Sequence, residues 1–113
     1  MAKYVILFTK EDKNSLEKVI EFSKALKSSG AEDVKLCFTL EGIKMLDKRN
    51  EEYKLIISRH LQDLNKLNIK VNSCKDCSLK YNIDEENIIY KDEIFSFEVL
   101  NKLVDQGYHI ITF

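Results

Sequence analysis

Apolar positions recur along this chain on two alternating periods. Tyr4-Val5-Ile6-Leu7-Phe8 is an unbroken apolar run, too short for a helix and patterned like a strand covered on both faces. The spacing then lengthens. Leu16, Val19, Ile20, Ser23 and Leu26 fall at helical intervals, predicting a helix capped by Asn14 or Ser15 and stopped at Gly30. Val34-Lys35-Leu36-Cys37-Phe38 returns to a period of two and reads as a second strand. A turn through Gly42 leads into a brief helix around Ile43 to Leu46. Tyr53, Ile56, Ile57, His60, Leu61 and Leu64 mark one face of a longer helix from Glu51 to Leu67. Ile69 to Asn72 predicts a third strand ending in Ser73-Cys74, and a short helix follows around Cys77 to Tyr81. Asn87 to Tyr90 reads as a weak strand or a loop. Phe97, Leu100, Leu103 and Val104 predict a last helix stopped by Gly107, and Tyr108 to Phe113 a closing strand.

Strands separated by helical patterns signal βαβ units and a parallel sheet with helices on both faces. The expected fold is therefore α/β, in three layers, with an open sheet of the flavodoxin or Rossmann type. No repeat, low-complexity tract or linker interrupts the pattern, so residues 1–113 are expected to form one domain. The chain has no proline, so its turns must rely on Asn, Asp, Ser and Gly.

Charge narrows the partners. Eighteen basic residues against 19 acidic ones give a net charge of −1, without the basic excess of a nucleic-acid or anionic-membrane binder. No apolar run approaches the roughly 20 residues of a membrane span. The run after Lys3 is too short for a signal peptide and lacks a small-residue cleavage site. A cytoplasmic protein is expected. Within it stand three cysteines, Cys37, Cys74 and Cys77. An odd number cannot all pair, and a reducing compartment disfavours structural disulfides. A disulfide scaffold is excluded.

In an open parallel sheet, ligands bind beyond the carboxyl ends of the strands. That rule selects Thr9-Lys10-Glu11, Thr39 to Gly42, Ser73 to Cys77 and Thr112-Phe113. Cys74 falls where the third strand gives way to a helix, beside Lys75, a setting that favours a thiolate nucleophile. Cys77 completes a CxxC and is the candidate second thiol. Thr9, Lys10, Thr39, Glu41, Gly42 and Lys75 are the candidate substrate-binding residues around them, with Glu41 placed to position a substrate or a thiol proton. Plain packing is the alternative for each cysteine, and the expected role of Cys37, His60 and His109. Asp84-Glu85-Glu86 is expected to be solvated. No metal is expected, because there is no second CxxC and the two histidines are far apart. No cofactor is expected either. Thr9 to Lys13 contains none of the glycines that a dinucleotide, P-loop or FMN site requires, and the third strand delivers Cys74 where a phosphoacceptor receiver domain would place Asp.

From end to end the chain resembles the DsrE/DsrF-like family, which includes the TusD-type sulfur-relay subunits. Phe38-Thr39-Leu40-Glu41-Gly42 is similar to the family's aromatic-rich segment ending in Glu-Gly. Leu67 to Cys74 is similar to its strand ending in the active cysteine. Leu79 to Ile83 stands where the family has a short helix and a glycine turn, and Gly107 to Phe113 matches its closing strand. Asn82 replaces the usual glycine, and Cys77 adds to the simplest one-cysteine pattern. The resemblance implies a five-stranded parallel sheet and a persulfide-carrying cysteine at Cys74. It also implies sulfur donors and acceptors as partners, either proteins or small persulfides, and homo- or hetero-oligomers such as trimers, hexamers or dimers.

Three readings follow from the residues and the resemblance together. The leading one is a sulfur carrier or sulfurtransferase using Cys74, with Cys77 able to resolve the persulfide. The second is a peroxiredoxin-like thiol redox protein using both cysteines. The third is a non-enzymatic oligomeric binding or regulatory module. For oligomerisation, the aromatics Tyr90, Phe95 and Phe97 offer a candidate surface.

Overall fold

The apolar run after Lys3 becomes β1 (Lys3–Phe8), which has a strand on each side and helices on each face. The computed structural model describes residues 1–113. The other strands are β2 (Asp33–Phe38), β3 (Lys70–Cys74), β4 (Glu93–Phe95) and β5 (Tyr108–Thr112). They form one sheet in the order β4-β3-β2-β1-β5, and every neighbouring pair is parallel. Four helices connect them: α1 (Lys13–Ser28), α2 (Glu51–Lys66), α3 (Lys75–Lys80) and α4 (Phe97–Asp105). A 3-10 turn spans Leu40–Leu46.

From β1 to β4 the chain steps across the sheet in one direction. The connection through α4 then reverses and places β5 on the far side of β1. Parallel crossovers are right-handed, so the reversal puts α4 on the face opposite α1 and α2. Register assigns side chains to the two faces. Phe8 and Phe38 are partners and touch edge-on at 5.5 Å, and Phe113 beside them packs against Phe22 of α1. Val5, Cys37 and Cys74 alternate with these residues and point to the other face. The result is a three-layer α/β/α fold.

Helix boundaries follow side-chain caps. Asp12, rather than Asn14 or Ser15, caps α1 by accepting the Ser15 N–H at 2.8 Å. Asn14 and Ser15 thereby lie inside the first turn. Asn50 caps α2 and Ser96 caps α4 in the same way. Gly30 and Gly107 follow the ends of α1 and α4 at φ +111° and +92°, where a Cβ would be strained. Ion pairs of Lys24 with Asp63 and of Arg59 with Glu17 join α1 to α2. With at least one partner of each pair open to solvent, they add little stability.

Two expectations change. Asn87 to Tyr90 lies outside the sheet, where Ile88 makes only an isolated antiparallel bridge to Asp47. The fourth strand is the three-residue Glu93–Phe95. Asp92 guides it in, its N–H donating to the Val71 carbonyl and its carboxylate accepting the Val71 N–H, at 2.7 and 2.8 Å. Such a short strand with one buried residue carries no readable periodicity. The aromatic surface also contracts. Phe95 is fully buried and the Tyr90 hydroxyl bonds Asp92 and Asn65, leaving Phe97 exposed.

On the face carrying Cys37 and Cys74, a file of polar side chains draws on four strands, β2, β3, β4 and β5. Tyr108 donates to Asp33, Lys35 pairs with Glu93 at 2.7 Å, and Asn72 donates to Glu93 at 3.1 Å. No helix is long and apolar enough to cross a membrane.

Candidate functional site

Two chain segments meet beyond the carboxyl ends of β2 and β3. The first begins where the Thr39 N–H donates to the Phe8 carbonyl at 2.9 Å, tying the end of β2 to the end of β1. Gly42 then lies so close to β1 that a Cβ there would fall 2.1 Å from the Phe8 carbonyl oxygen. Only glycine fits. Between these anchors Leu40 adopts φ +50° with a half-exposed side chain. This left-handed conformation costs a leucine about 1–2 kcal/mol. Its backbone N–H points inward and donates to Sγ of Cys77 at 3.0 Å.

The second segment is the junction of β3 and α3. Cys74 ends the strand and occupies the N-cap position without capping through its side chain. It is fully buried, and its carbonyl accepts from the Ser78 hydroxyl at 2.8 Å. One turn on, Cys77 is 5% exposed. Cys74 and Cys77 thus stand one helical turn apart at the start of α3, both out of solvent. All three thiols are free, and Cys37 is wholly buried on the same sheet face.

Desolvation dominates the electrostatics. Burial pushes the Cys74 thiol up to about 12, with the neighbouring Cys77 side chain acting in the same direction. The Cys77 backbone N–H opposes this, and the nearby Asp76 charge adds to it. Cys74 is therefore a protonated thiol at neutral pH, opposite to the thiolate that its helix-terminal position suggests. A six-residue helix offers too small a dipole to offset the burial, and Lys75 is exposed. Burial drives the Cys37 thiol up as well.

The other candidates divide by location. Thr39 and Gly42 build the loop that presents Leu40, and Glu41 lies on its exposed side. The hydroxyl and N–H of Thr9 both donate to the Phe113 carbonyl, at 2.7 and 2.8 Å. Lys10 is exposed beside it. Lys75 borders a cavity of about 310 Å³ that Ser73, Ser78, Asn82 and Ile83 also line. Ser73 reaches this cavity because it leaves β3 on the face opposite Cys74. His60 hydrogen-bonds Glu17 at 2.9 Å, and His109 packs against the Tyr4 ring near the start of β5. No three His, Cys, Asp or Glu side chains are grouped to hold a metal ion.

The model of the DsrE/DsrF-like family matches residues 2–113, nearly the whole chain. The chain belongs to this family. Solved structures agree on the fold. MTH1491, a protein of unknown function from Methanobacterium thermoautotrophicum, superposes with a TM-score of 0.81 at 12% identity, covering 99% of each chain. The ychN protein from E. coli gives a TM-score of 0.76 at 20% identity over 100% of both chains. BT1422, a conserved protein of unknown function from Bacteroides thetaiotaomicron, gives 0.72 at 16% identity, covering 98% of this chain and 94% of its own. No curated protein matches this chain. At these identities the likeness concerns fold alone.

Within this DsrE/DsrF-like fold, Asn82 sits at φ +54° after α3. It takes the left-handed position that glycine would otherwise fill, as its short polar side chain allows. Two features of the site escaped the sequence reading. The Leu40 N–H is a backbone group, and a leucine gives no sign of a left-handed turn. The cavity beside Lys75 draws on Ser73, Asn82 and Lys91, residues too dispersed along the chain to form a motif.

Proposed function

We propose that this DsrE/DsrF-like protein is a cytoplasmic sulfur carrier in which the Cys74–Cys77 pair takes up a sulfane sulfur and holds it on Cys74 as a persulfide. The observation that carries this reading is the placing of two free thiols, buried and one helical turn apart, at the end of β3, in the region where parallel α/β sheets bind their ligands. Family membership favours sulfur chemistry for that pair. Thr39, Glu41 and Gly42 would border the incoming donor on one side and Lys75 on the other, with Thr9 and Lys10 at the adjoining strand end. Donor and acceptor are persulfidic proteins or small thiols. The protein works as a homo-oligomer, trimeric, hexameric or dimeric, and the exposed apolar side chains Phe97, Val104 and Ile110 favour such an assembly.

Incubation with a small persulfide, followed by intact mass before and after reduction, tests the reading. The parent should gain the mass of one sulfur atom, lost on reduction, and the double variant Cys74→Ser/Cys77→Ser should gain none. Equal gain by the double variant, or none by the parent, would overturn the carrier.

A thiol redox role has one observation in its favour, namely that two free thiols stand one helical turn apart at CxxC spacing. Peroxide consumption dependent on both cysteines, without any persulfide, would establish that role instead.

A further inference from the structure

Two thiols one helical turn apart are seldom equivalent, and here their surroundings differ. The Cys77 sulfur accepts a backbone N–H from a different segment, that of Leu40 at 3.0 Å. A donor aimed at sulfur favours its anionic form. Leu40 is held for this purpose at some cost. Its left-handed φ of +50° belongs to a residue with a Cβ, and its side chain stays half exposed. The anchors on either side are rigid, with Thr39 bonded to the Phe8 carbonyl and Gly42 pressed against that same carbonyl. Cys77 retains slight exposure, whereas Cys74 has none.

We propose that sulfur enters on Cys77, whose sulfur accepts the Leu40 N–H, and then passes inward to Cys74. The inference rests on the carrier reading and reverses the order in which its two thiols would be expected to act. In the first step the Cys77 thiolate attacks the outer sulfur of a donor R–S–SH. The donor S–S bond breaks, Cys77–S–SH forms, and R–S⁻ leaves. In the second step the Cys74 sulfur attacks that same outer sulfur. Cys74–S–SH forms, the S–S bond on Cys77 breaks, and the Cys74 proton moves to the Cys77 sulfur. No oxidant or reductant is consumed, and the sulfur comes to rest on the more deeply buried residue.

Single variants separate the two steps. With a small persulfide donor, Cys77→Ser should take up sulfur at least tenfold more slowly than the parent. Cys74→Ser should take it up at close to the parental rate, with the adduct on Cys77 by peptide mapping. In the parent the adduct should map to Cys74. Replacing the Leu40 peptide N–H by an ester oxygen should slow uptake about as much as Cys77→Ser does. Parental uptake by Cys77→Ser, or its loss in Cys74→Ser, would overturn the order. A second measurement needs no sulfur donor. Limiting iodoacetamide at pH 7.5 should alkylate Cys77 before Cys74 in the parent, and the reverse order would overturn the inference. If the parent takes up no sulfur but Cys77 still reacts first, the carrier reading fails while the assignment of Cys77 as the leading thiol stands.

Discussion

The backbone N–H of Leu40 donates to Sγ of Cys77 at 3.0 Å, joining the loop after β2 to the helix after β3. The two residues are 37 positions apart in sequence. What brings them together is the parallel pairing of β2 with β3, which sends both strand ends to the same edge of the sheet. A peptide group is a steadier donor than a side chain, since it carries no rotamer freedom to lose. Its cost appears instead in the left-handed backbone at Leu40.

Relieving that backbone should stabilise the protein. Leu40→Gly keeps the N–H and removes the Cβ penalty of about 1–2 kcal/mol. The greater freedom of glycine in the unfolded chain takes back about 0.5–1 kcal/mol. A net gain of up to about 1 kcal/mol is expected, read as a higher urea midpoint with unchanged slope. A lower midpoint would mean that the leucine side chain packs more usefully than its exposure indicates.

The neighbouring glycine should tolerate nothing larger. In Gly42→Ala the new Cβ would lie 2.1 Å from the Phe8 carbonyl oxygen, so the loop must move. Overpacking of this kind costs about 2–3 kcal/mol. Urea unfolding should show that loss, and the displaced Leu40 N–H should alter the alkylation rate of Cys77. An unchanged midpoint would contradict the close approach.

Alkali should unfold the protein through its buried acids. The Cys74 thiol rises from an ordinary 9.0 to about 12 in the folded chain, chiefly through burial. Between those values the folded state keeps a proton that the unfolded state has lost. Stability is then complete below pH 9 and falls as pH rises. Cys37 and Tyr108 are shifted the same way, chiefly by burial. Each contributes a slope of up to about 1.4 kcal/mol per pH unit. Urea midpoints at pH 8 and 10.5 should differ accordingly, and Cys74→Ser should lessen the drop. Equal midpoints would show that these groups titrate freely in the folded chain.

Lys35 anchors the polar file on the sheet. It is mostly buried, 2.7 Å from Glu93 and 3.9 Å from Asp33. Lys35→Met would leave two carboxylates beside Tyr108 without their cation, a loss of about 1–3 kcal/mol in chemical denaturation. Pairing it with Glu93→Gln should recover part of that. A neutral Lys35→Met would place the file in solvent.

Local pattern was enough for the architecture. Each βα unit repeats the same arrangement, an apolar run followed by a helical stripe, and right-handed crossovers leave few ways to assemble such units. The long helix from Glu51 was legible because six of its residues mark one stripe. The strand Glu93–Phe95 was not, because three residues with one buried side chain hold no period. Cys74 and Cys77 could be recognised as a pair because CxxC spacing is local and α3 keeps it one turn long.

By itself the sequence determined the α/β class, the order of the main elements, the thiol pair and its place after the third strand. All of these depend on residues near one another along the chain, where period and spacing record them. The tertiary structure alone decided the state of that pair. Burial, which keeps the Cys74 proton in place, is supplied by residues from the rest of the core. The donor facing Cys77 is a backbone group whose direction depends on the turn at Leu40 and on the contact of Gly42 with β1. Desolvation and a peptide's orientation are properties of the assembled fold, and no run of side chains encodes them where they act.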